Sequence, residues 1–179
     1  MVRRRLLSKH RGAALVGGLI LAVFSLISSA GADQPPIGLL LNDPGSFDGY
    51  TLFKPIGYDM TYLIDNQGEL VHSWNNTSGL FASLLEDGRL LLAATGATNP
   101  AFPYGGATGR LEMYDWDSNL IWEFDYSTDN YMLHHDFEIL PNGNVLMIAW
   151  ERKTGAESIA AGRDPSLLLD GELAPLHVI

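Results

Sequence analysis

The segment "LHHDFEILPNGNVLMIAW" (133–150) puts His134, His135 and Asp136 directly before an apolar run. The stretch after it, "ERKTGAESIAAGRDP", adds Arg152, Lys153 and Arg163. Imidazoles beside a guanidinium suit an anionic group such as a sulfate or phosphate ester. Arginine grips two oxygens at once, and histidine bonds or transfers a proton near neutral pH. His134 and His135 are therefore the candidate catalytic residues, with Arg152 and Arg163 as candidate substrate-binding residues. Plainer roles exist for each. A histidine at a strand start can be a satisfied rim residue, Arg152 and Lys153 can be solvated loop charges, and Arg163 can pair with Asp164. Asp136 is expected to accept a hydrogen bond from backbone or from a neighbouring sheet, and His72 to pack. Trp74, Trp116, Trp122 and Trp150 are expected to fill interfaces between sheets. Asp115 and Asp117 read as turn chemistry. No P-loop, G-x-G-x-x-G, H-E-x-x-H or G-x-S-x-G motif is present, and the sequence calls for no cofactor and no metal.

The elements that hold these residues repeat. "YLIDNQGELVHSW" (62–74) aligns with "EMYDWDSNLIWEF" (112–124), so that Asp65 falls on Asp115 and Trp74 on Phe124, an offset of 50. "LEDGRLLLAA" (85–94) aligns with "LPNGNVLMIA" (140–149), Gly88 on Gly143, an offset of 55. Each unit is a short apolar strand, a turn rich in Gly, Asn and Asp, and a second strand. No amphipathic helix is legible downstream of the leader. Two hairpins per unit predict one four-stranded sheet per repeat, the pattern of a β-propeller blade. One blade is assigned to 82–126. The last two strands of an earlier blade span about 60–74. The first two of the next span about 134–150, and "HVI" at 177–179 begins its third.

Strands alternate in direction, so connections alternate between two ends. The tight turns at 66–68, 86–88, 117–119 and 141–143 share one end, and the long connections at 75–81, 96–108, 127–133 and 151–176 share the other. Long loops on a rigid scaffold commonly carry function. His134 and His135 then start an innermost strand, at the mouth of a central channel. Neighbours on a strand point to opposite sides, so the two rings are not expected to reach one ligand unless regular strand has yet to begin there.

The first 32 residues are set apart. A basic, acid-free start, an apolar run and "AGA" at Ala30–Ala32 read as a secretory signal peptide. Left uncleaved, its roughly 18 apolar residues would just span a bilayer. Cleavage removes five of the eleven basic residues and none of the 21 acidic ones, leaving six against 21, a net −15. Such a charge argues against nucleic acid or an anionic membrane as partner. With no cysteine, stability has to come from packing rather than disulfides. The domains expected are a signal peptide (1–32), a lead-in (33–59) and an incomplete β-propeller (60–179) in an exported, periplasmic or extracellular protein. An uncleaved leader would make it membrane-anchored.

"GYTLFKP", "TYLIDNQGELVHSW", "GRLEMYDWDSNLIWEFDYS", "LHHDFEILPNGNVLMIAWE" and "AGRDP" together resemble the N-terminal portion of the bacterial-type arylsulfotransferase family. "HHD" followed by an apolar stretch and "PNGN" is the most specific piece. The resemblance implies an all-β, six-bladed propeller. It implies transfer of a sulfuryl group from a phenolic sulfate ester to a phenol through a sulfohistidine intermediate. The family's "HHD" histidine matches His134 or His135, as donor to the sulfate oxygens or the bridging oxygen. The histidine that becomes sulfated and the active-site arginine lie later in the family's chain and have no counterpart here.

The chain also departs from the family pattern. Ala174 and Leu176 are unusual in "GELAPLHVI", and under three blades are present where closure needs at least four. A truncated fragment, aggregation-prone and inactive alone, is the expectation. The competing classes are a noncatalytic exported propeller that binds carbohydrate or protein on its long-loop end, and a quinone-dependent dehydrogenase-like propeller. For the latter the regular glycine and tryptophan spacing is missing.

Overall fold

A computed structural model describes residues 38–168 and 171–179. The leader over 1–32 lies outside the described residues. Among the described residues, three antiparallel sheets of three or four strands and one two-stranded ribbon make up an all-β architecture, and none of them closes on itself. The first sheet holds β1 (Tyr50–Phe53), β2 (Met60–Asp65) and β3 (Leu70–Asn75) in that order. The second holds β4 (Gly79–Leu84), β5 (Leu90–Thr95), β6 (Gly109–Tyr114) and β7 (Leu120–Asp125), again in chain order. The third is built from β8 (Tyr131–Ile139) and β9 (Val145–Glu151). After β9 come β10 (Lys153–Thr154), helix α1 (Gly155–Ala160), a 3-10 turn over Pro165–Leu167 and β11 (Glu172–Leu173). The chain then returns as β12 (Leu176–Val178) on the far side of β9, giving the order β12-β9-β8. Among the described residues no helix is long and apolar enough to cross a membrane.

The repeat survives at the level of single atoms. Asp65 Oδ1 accepts the backbone N–H of Glu69 at 2.9 Å, and Asp115 Oδ1 accepts that of Asn119 at 2.8 Å. The turn residue Gly68 has φ +79° and its counterpart Ser118 has φ +68°. Left-handed backbone suits glycine and strains other L-residues, but the serine hydroxyl gains a bond from Asn75 N at 3.1 Å. Both hairpins bulge one step before the turn, at Leu63/Ile64 and at Met113/Tyr114. The other pair of turns matches too, since Gly88 N reaches Leu85 O and Gly143 N reaches Leu140 O.

Side-chain alternation on β5 explains the core. Leu90, Leu92 and Ala94 face the first sheet, where they meet Leu63 and Trp74. Leu91 and Ala93 face the third, where they meet Leu133, Phe137 and Met147. A strand covered on both faces needs a continuous apolar run, which "LLLAA" supplies. Polar groups also enter the seam between the first two sheets. Glu112 is buried there, accepts the Tyr114 hydroxyl at 2.6 Å and lies 3.5 Å from Arg110.

From within the lead-in, β1 pairs with β2. Three expectations change in detail. The central sheet begins at Gly79 rather than 82, and the third at Tyr131 rather than 134. One short helix does follow the leader. Thr154 caps α1, accepting Glu157 N while the Glu157 side chain accepts Thr154 N, a capping box spelled "TGAE". At six residues, α1 is too short for periodicity to betray it.

Candidate functional site

His134 and His135 sit inside β8, not at its start, and the strand breaks register between Leu133 and Phe137. The connection 96–108 fills that break. Thr108 N donates to Leu133 O, Ala107 bridges to His134, and His135 N donates to Gly106 O at 2.9 Å. His135 takes φ +57°. One left-handed residue cancels the alternation of the strand, so neighbouring side chains turn toward each other. The expectation that the rings diverge is thereby corrected: Nδ1 of His134 and Nδ1 of His135 are 2.8 Å apart, with ring planes at 89°. Asp136 meets its expectation, its carboxylate accepting Phe137 N at 2.7 Å.

The two rings differ in environment. His134 is 3% exposed, whereas His135 is open to solvent. Trp150 stacks on His134 with centroids 4.2 Å apart, and Phe102 and Tyr104 pack around Trp150. Burial, then the charges His135 and His177 would carry, push the His134 pKa down to about 4. His134 is therefore neutral at pH 7. Two nitrogens sharing one short contact require one to donate and the other to accept. The other nitrogen of His134, Nε2, is buried with no hydrogen-bond partner among the described residues.

His177 is the residue that sequence inspection missed. On β12 it stands opposite Ala149, its Nε2 is 3.3 Å from the Tyr126 hydroxyl, and its Nδ1 is buried with no hydrogen-bond partner among the described residues. "HVI" marks only a strand; the pairing that carries His177 toward His134 is non-local and leaves no mark in the local pattern.

The expected cations are engaged elsewhere. Arg152 forks onto Glu172 at 2.6 and 2.7 Å, and Lys153 pairs with Glu151. Arg163 follows α1 and reaches Leu167 O at 3.4 Å, while Asp164 accepts Ser166 N instead of pairing with it. Among the described residues neither guanidinium hydrogen-bonds to His134 or His135. No group of three His, Asp or Glu is arranged to hold a metal among them.

The remaining aromatic residues divide. His72 packs as expected, flat on Trp116 at 3.8 Å with Nε2 2.8 Å from Trp116 O. Trp74 is fully buried and donates to Asp115 O at 3.1 Å. Trp122 corrects the expectation: it lies on outermost β7 at 44% exposure, with only Phe124 stacked beside it. Asp115 performs turn chemistry, also accepting the Asn119 side chain at 2.9 Å.

The chain matches no protein-family model, no curated protein and no solved structure.

Proposed function

We propose that the His134–His135 pair is an oxyanion site in an exported, arylsulfotransferase-like protein whose three larger sheets are blades of a six-bladed β-propeller. Support for the blades comes from the repeated turns and bulges and from the face-to-face stacking through β5. The observation that carries the site is the 2.8 Å Nδ1–Nδ1 contact between a buried His134 and an exposed His135. It forms a two-ring unit whose outer member meets solvent beside the connection 96–108. In sulfuryl transfer the S–O bond to the departing phenolate breaks as sulfur bonds to an imidazole nitrogen; a second phenol then gives up its proton and bonds to sulfur as the S–N bond breaks. By the resemblance, the nucleophile lies outside this pair. His135 is assigned hydrogen bonding to the sulfate or bridging oxygen, with His134 setting its orientation. The small-molecule partners are an aryl sulfate and a phenol.

A second reading follows from one observation. Arg152 is spent on Glu172 and Arg163 on Leu167 O, so among the described residues neither guanidinium hydrogen-bonds with the imidazoles, an arrangement suited to binding without transfer in a noncatalytic module. 4-Nitrophenyl sulfate with and without a phenol acceptor separates the two. Nitrophenol released only when acceptor is present supports transfer. Saturable binding with no release supports the module, and neither binding nor release removes both.

A further inference from the structure

We infer that Gly106 is the positioning residue of this site, the one place where the absence of a side chain lets the His135 ring lie against His134; the ligand half of the inference rests on the oxyanion role proposed above. Gly106 has φ +89° and faces His135, which has φ +57°, through the bond from His135 N to Gly106 O. A Cβ on Gly106 would fall within the His135 ring, against Cε1, Nε2 and Nδ1. The adjacent Gly105 differs, because a Cβ there meets nothing within 4 Å. Other crowded glycines, such as Gly79 against Ala93 O and Gly155 against Gly171 O, are close approaches of backbone to backbone. At Gly106 the obstacle is the imidazole itself. A methyl group at this position drives the ring out of its place, separates the two Nδ1 atoms and takes away the only hydrogen-bond partner the His134 side chain has among the described residues.

The test compares Gly106→Ala with Gly105→Ala in the full chain. Nitrogen NMR of the imidazoles reports the contact directly, and 4-nitrophenyl sulfate binding reports its use. Gly106→Ala is expected to shift the Nδ1 signals of both histidines and to weaken binding about tenfold or more, the loss of one hydrogen bond to a charged group. Gly105→Ala is expected to change neither. Unchanged histidine signals in Gly106→Ala overturn the inference. Should Gly106→Ala fail to fold, the double variant with His135→Ala is expected to recover folding in part, since the ring is gone and only the backbone strain at φ +89° remains. A double variant that stays unfolded while His135→Ala folds also overturns it, because backbone conformation alone then demands the glycine. Shifted signals in a protein that never bound the ester leave the positioning intact and remove the oxyanion role.

Discussion

Trp150 lies flat against His134, ring centroids 4.2 Å apart and planes 22° from parallel. The indole sits on β9 and the imidazole on β8, so the contact joins neighbouring strands beside the register break. It closes one face of the imidazole to water. Position and protonation of His134 are thus both set by the same packing.

Stability should fall in acid through this group. The His134 pKa is about 4 in the folded chain against an ordinary 6.5, so the unfolded chain binds more protons between those values. The native state then loses stability as pH drops from about 6.5 toward 4, by up to about 3 kcal/mol. Urea melts at pH 7, 6, 5 and 4 would show it. His134→Phe, which keeps the stacking, should flatten that part of the profile.

Trp150→Ala should raise the His134 pKa toward its ordinary value, since burial is the main cause of the depression. Proton NMR of the ring reads the shift. A value that stays near 4 would assign the depression to some other cover.

Trp74 and Phe124 occupy the same repeat position and should behave differently. Trp74 is sealed under the β6–β7 hairpin through Trp116 and Asp115. Phe124 is 39% exposed, and the third sheet has no hairpin beyond β12 among the described residues to cover it. Trp74→Ala is expected to cost about 3–5 kcal/mol, and Phe124→Ala less than about half of that, by denaturant unfolding.

Thr154→Ala should act locally. Alanine keeps the backbone N–H that Glu157 accepts but removes the hydroxyl that accepts Glu157 N, so the amides of Gly155–Ala160 are expected to exchange faster while the midpoint of global unfolding scarcely moves. Equal protection in the variant would show that the helix is held by its surroundings instead.

Much of the sheet structure was legible because its signals are local. Asp65 and Asp115 each organise a turn within four residues, and Gly88 and Gly143 mark theirs outright. The "LLLAA" run needed only period-two counting. What escaped depends on distant partners or rare backbone. Trp122 carries the same sequence signal as a buried tryptophan, and it stands bare beside Phe124 because among the described residues the third sheet has no hairpin beyond β12 to cover that face. His177 reaches the site through pairing with β9. The left-handed His135 had no glycine to announce it, so strand alternation gave the wrong geometry for the very pair that the sequence had singled out.

β5 belongs to two interiors at once, and this sets how damage travels. An injury to β2 stays in the seam beside the first sheet, and one to β9 in the seam beside the third. A change at Leu91 or Leu92 lies a single peptide bond from the opposite seam. The middle strand is thus the keel of the molecule: a distortion of its backbone loosens both flanks together, and the histidines on β8 feel it through Leu133 and Phe137.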